Sequence, residues 1–134
     1  MRGLRGPATI AAMRHHTEER AVATAGHFDV ADLTGVIDDV LGASGIADGH
    51  VTVSTREPGC ALVVNERETG LISDLKDSLA RLDDGNGSGL SLGSTSVMLP
   101  AIEGALAVGT WQRVLLVELD SEASRTVVVQ IVGD

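Results

Sequence analysis

The stretch EGALAVGTWQRVLLVE, residues 103–118, decides how the rest of this chain is read. From Thr110 to Leu119 it is filled with residues of β preference, and the spacing predicts a strand. Alternate side chains of a strand share a face. One face then carries Thr110, Gln112, Val114, Leu116 and Glu118, the other Trp111, Arg113, Leu115, Val117 and Leu119. Gln112 and Glu118 are the polar ends of a face with an apolar middle. Two readings stay open: both reach a polar site, or Gln112 merely ends the strand and Glu118 faces solvent.

The surrounding composition bounds what that strand can belong to. At 134 residues the chain has the length of one domain that can bury a core. Hydrophobic residues make up 43% but aromatics only 1%, so the core must be aliphatic, and a small subunit of this kind gains from further burial in an oligomer. A net charge of −9 argues against nucleic acid and anionic membrane surfaces, which require Lys/Arg clusters. No apolar run approaches the roughly 20 residues of a membrane span. The single cysteine, Cys60, excludes an internal disulfide and a Cys-rich zinc site, and suits a cytoplasmic setting.

Working outward, the periodicity predicts strands over Glu18–Thr24, His50–Arg56, Cys60–Asn65, Thr95–Leu99 and Arg125–Val132, the last as hairpin partner of the central strand. Residues 1–16 read as a tail or mis-set start, and 17–134 as the domain. Asp29–Thr34 leads into a helix capped by Thr34 or Asp32 and ended by Gly42 and Gly45. A second helix spans Thr69–Leu82, with a stripe of Leu71, Ile72, Leu75, Leu79 and Leu82 and with Asp74 near its edge. Asp83–Gly93 (DDGNGSGLSLG) reads as a flexible loop; a phosphate cradle there would lack the Walker lysine. Two helices and six or seven strands make an α+β arrangement.

The order of signals, with ALVVNE at 61–66, GTWQ at 109–112 and VVVQIVG at 127–133, resembles the YjbQ-like family, some of whose members are described as secondary thiamine-phosphate synthases. The resemblance covers Thr17 to Gly133. It implies a single α+β domain with a large mixed sheet, a homotrimer, and a polar site near the subunit boundary. Carried onto this sequence, it implies catalytic roles for Glu66, Asp74 and Gln112, and binding roles for Asn65 and Glu118, with Trp111 packed beside them; Glu57, outside the family pattern, is a binding candidate as an oxygen ligand for a divalent cation beside Glu66 and Asp74. Two departures stand out. Where the family has a His-Thr-Ser/Thr triplet, this chain has Glu57-Pro58-Gly59, and its 83–93 segment holds no histidine. The four histidines present are His15, His16, His27 and His50.

General acid–base work near neutral pH usually enlists histidine. A site of carboxylates alone repels phosphate unless a divalent cation such as Mg²⁺ lies between. The expectation is therefore a catalytically degenerate family member, acting as a trimeric scaffold or a binding module for a small, phosphate-bearing molecule. The alternative is an active transferase resembling thiamine-phosphate synthase, with Glu66 and Asp74 as metal ligands or base and Gln112 orienting the substrate. Cys60 has no base or helix N-terminus beside it in sequence and reads as a core thiol.

Overall fold

A computed structural model describes residues 13–82, 93–121 and 123–134. Most of the 83–93 segment, and residues 1–12 of the expected tail, lie outside the described residues. The strand signal continues upstream of the expected start: β1 runs over Arg14–Thr24, so residues 14–16 belong to a sheet. Next come β2 (Val30–Asp32), α1 (Thr34–Ser44), β3 (Gly49–Thr55), β4 (Cys60–Glu66), α2 (Thr69–Leu82), β5 (Ser96–Ile102), β6 (Ala105–Leu106), β7 (Gln112–Glu118) and β8 (Ala123–Gly133). These form two antiparallel sheets, β1-β8-β3-β5-β6 and β2-β7-β4.

β7 organises the packing. Val114 and Leu116 face a core shared with Val51 and Val53 of β3, Val127, Val129 and Ile131 of β8, and Leu33, Ile37, Val40 and Leu41 at α1. Leu115 and Val117 face the other way, into a second core with Phe28, Ala61 and Leu79 of α2. The smaller sheet thus lies between the larger sheet and α2. A strand covered on both faces carries a continuous apolar run rather than an alternating one, which is why residues 114–117 read VLLV.

The expected hairpin between β7 and β8 does not form. β7 pairs with β2 and β4, whereas β8 lies between β1 and β3. The turn after β7 carries the chain from one sheet to the other, because β7 needs partners that leave both its faces covered. β2 was also outside the sequence reading; at three residues it is too short to show a period. Pro100 lies inside β5 opposite His50, not at its end.

Local chemistry fixes the remaining elements. The Thr34 N–H donates to Asp32 Oδ1 at 3.0 Å, and Thr34 Oγ1 accepts the buried Val114 N–H at 2.9 Å, tying the start of α1 to β7. Gly45 ends α1 at φ 67°, where a side chain would be strained. Gly49 and Gly133 face each other across β3 and β8. A Cβ on Gly133 would meet the Asp48 carbonyl oxygen at 2.0 Å.

Candidate functional site

The sequence-predicted site residues fall into two groups at opposite ends of β4 and β7. The span from Gln112 to Glu118 corresponds to about 20 Å of extended strand.

At the far end of β7, Glu118 is fully buried; it does not face solvent. Its carboxylate accepts Arg125 Nε at 2.8 Å and Nη2 at 2.6 Å, the Thr24 hydroxyl at 2.6 Å and the Asp120 N–H at 3.2 Å. Burial works to raise the Glu118 pKa, but the Arg125 and Thr24 hydrogen bonds and the Asp120 N–H outweigh it and hold the carboxyl below its ordinary value. Hydrogen bonding to Glu118 in turn raises Arg125. Glu57 completes the cluster, with Oε2 3.6 Å from Arg125 Nη1 and Oε1 accepting the Thr126 N–H at 3.1 Å. Gly59 leaves the room the guanidinium occupies, since a Cβ there would lie 2.8 Å from Arg125 Nη2. Cys60 sits against Glu118 on the neighbouring strand. Burial, helped by the Glu118 charge, pushes its thiol up to about 11, the opposite of an activated nucleophile.

At the near end, Glu66 pairs directly across from Gln112, and Asn65 across from Arg113. Directly opposed side chains start about 5 Å apart. Glu66 and Gln112 are exposed. The Gln112 N–H donates to the Gly109 carbonyl at 3.0 Å, and its side-chain oxygen accepts the Gly109 N–H at 2.8 Å. These reciprocal bonds close the GTWQ turn and hold Trp111 outward, 74% exposed. Asn65 Oδ1 accepts the Glu66 N–H at 2.9 Å. Arg113 Nε donates to Asp32 Oδ2 at 2.8 Å; the Asp32 carboxyl, raised by burial, ends below its ordinary value because the Thr34 N–H and Arg113 bind its ionised form.

Asp74 joins neither group. Leu79 is the buried residue of α2, with Ile72, Leu75 and Lys76 partly buried. At 100° per residue Asp74 lies on the opposite, exposed side. It sits in the second turn, and the first-turn N–H groups of Gly70 and Leu71 go instead to Glu68, at 2.9 and 3.0 Å.

Among the described residues, no three His, Cys, Asp or Glu side chains converge as metal ligands. The histidines lie on β1, β3 and the loop before β2: His16 is 2.7 Å from Glu18, and His27 stacks on Phe28. Sequence reasoning missed Arg125, Thr24 and the Asp32–Arg113 pair. One signal was available for the first, because a carboxylate directly after the buried run VLLV calls for a buried cation beside it.

Comparison with known proteins supplies the lineage. Residues 18–134 match the family model described as UPF0047 protein YjbQ-like. A UPF0047 protein of Methanothermobacter thermautotrophicus is 30% identical, over 90% of this chain and 94% of its own length. One from Archaeoglobus fulgidus is 32% identical, over 84% of this chain and 98% of its own. A crystal structure of a YbjQ-like protein of unknown function from Sulfolobus solfataricus superposes with a TM-score of 0.82 at 26% identity, covering 92% of this chain and all of that one. A hypothetical protein from Aeropyrum pernix superposes at 0.79 with 27% identity, covering 88% of this chain and 98% of that one. With the same two-sheet α+β fold and a match over nearly its whole described length, this chain belongs to the YjbQ-like UPF0047 family.

Proposed function

We propose that this chain is a catalytically degenerate member of its family, acting in the cytoplasm as a homotrimeric scaffold or small-molecule binding module. One observation carries the reading. Glu57, at the position where the resemblance implies a histidine, is engaged by Arg125 and the Thr126 N–H. Its neighbour Glu118 is closed off by four donors, and the Cys60 thiol is raised rather than activated. The groups at this end therefore satisfy one another and offer no base to a substrate.

Assembly is supported by the large apolar side chains left in solvent: Met98 at 63%, Ile102 at 54% and Trp111 at 74% exposure. No helix among the described residues is long and apolar enough to cross a membrane. The transferase alternative draws on one placement, Glu66 opposite Gln112. Its other carboxylate, Asp74, lies on the exposed face of α2.

Two measurements test the proposal. Incubation with a thiamine precursor pair, with and without Mg²⁺, is expected to give no product; measurable turnover overturns the degenerate reading. Light scattering on a sizing column is expected to return the mass of three chains; a monomer overturns the assembly.

A further inference from the structure

A cavity of about 290 Å³ opens beside the first two turns of α2, lined by Arg67, Thr69, Ile72, Ser73 and Lys76. Thr69, Ile72, Ser73 and Lys76 recur at the three- and four-residue spacing that puts them on one helix face. Arg67 reaches the same space from the loop before the helix. Two cations and two hydroxyls thus converge on one small concavity in a chain whose net charge is −9.

Lys76 is singular in its pairing. Among the described residues, four Lys or Arg side chains are partly or fully buried: Arg20, Lys76, Arg113 and Arg125. Arg20 lies 2.8 Å from Glu18, Arg113 2.8 Å from Asp32 and Arg125 2.6 Å from Glu118. Lys76 alone of the four has no carboxylate partner among the described residues; Arg67 beside it is exposed. Partly buried charge is ordinarily paired. The acidic neighbours do not supply the missing partner. Glu68 is turned onto the Gly70 and Leu71 N–H groups, which lower its pKa, and Asp74 and Asp77 are exposed.

We infer that this cavity binds a tetrahedral oxyanion, the phosphate of a small phosphorylated molecule, with Arg67 and Lys76 balancing its charge. The Arg67 guanidinium presents a fork to two oxygens, Lys76 a point charge, and Thr69 and Ser73 hydroxyl donors to the rest. A phosphate carries about −1.5 to −2 near neutral pH and so balances both cations, where a carboxylate brings only −1. Ile72 gives the body of the ligand an apolar surface. The N–H groups at the start of α2 are already taken by Glu68, so the side chains do the binding. The inference rests on the binding-module reading and assigns it a place, away from the cluster around Glu118.

The test is an amide NMR titration of the full chain with inorganic phosphate, at ionic strength held constant with chloride. Saturable shifts confined to residues 67–76 are expected, weakened at least about tenfold by Arg67→Gln with Lys76→Gln. Arg56→Gln, which removes an exposed pair with Glu19, is expected to leave binding unchanged. Three results overturn the site: the same shifts with chloride alone, no shift at all, or a response centred on Glu66 and Gln112 instead. The last would move the ligand and spare the binding-module reading. Conversely, turnover of a precursor pair alongside intact shifts at 67–76 would remove the degenerate reading and keep the site.

Discussion

Glu118 and Arg125 stand seven residues apart in the chain, in two different sheets, and their side chains meet in a two-pronged ion pair of 2.8 and 2.6 Å. The pair clips the corner where the chain leaves β7 and enters β8. Its remaining lone pairs and protons are satisfied by Thr24, Glu57 and the Asp120 N–H.

Breaking such a pair costs more than replacing it. Arg125→Met leaves a fully buried carboxylate without its cation and is expected to lower stability by about 3–5 kcal/mol. The double variant Glu118→Leu with Arg125→Met should lose clearly less than the sum of the two single changes. Urea unfolding of the four proteins gives the coupling directly; additive losses would show that the pair is not a unit.

The same carboxylate sets an acid limit. The folded-state pKa of Glu118 lies below its ordinary value of 4.5. The stabilisation is therefore complete above the unfolded pKa and is lost as pH falls through the folded one. The urea midpoint of the wild type should drop more steeply below about pH 5 than that of Glu118→Gln, which has no charge there to lose. Parallel slopes would assign the acid transition to other carboxylates.

Two glycines separate backbone contact from helix propensity. Gly133→Ala pushes a Cβ to 2.0 Å from the Asp48 carbonyl oxygen at the end of the β3–β8 ladder, and is expected to cost at least about 3 kcal/mol or prevent folding. Gly42→Ala, in α1 with nothing within 4 Å of the new methyl, should raise stability by about 0.5–1 kcal/mol. Thermal melts of both variants check the opposite signs.

Cys60 is buried and its thiol is raised to about 11. It should react with an aromatic disulfide at pH 8 far more slowly in the native protein than in urea. Arg125→Met, which removes the cation beside it, should raise the thiol further. Rapid native labelling would mean that the Glu118 corner opens readily.

Much of this architecture is legible locally. α2 begins and ends where its spacing puts it, at Thr69 and Leu82, and the β4 and β7 signals stand close to their observed bounds. What cannot be read locally is which strand neighbours which. A period of two says that Val114 and Leu116 share a face, yet nothing in it distinguishes a β8 neighbour from β2 and β4. The site divides in the same way. Gln112 and Glu66 meet because register places them opposite, while Asp74 turns away because the packed stripe of α2 is narrower than its leucines suggest, with Leu71 at 37% and Leu82 at 62% exposure. The partner of Glu118 arrives from another sheet, beyond the reach of any local pattern.

The position of β8 carries a consequence for how this chain reaches its fold. The strand that joins β1 to β3 in the larger sheet is the last of the eight in chain order. During synthesis from the N-terminus, β1 and β3 wait with unpaired edges until β8 has emerged, and every contact it makes with β1 closes a loop of about a hundred residues. Assembly of the larger sheet is then governed by its final segment, and an interrupted chain exposes two sticky edges where the finished one has a shared neighbour.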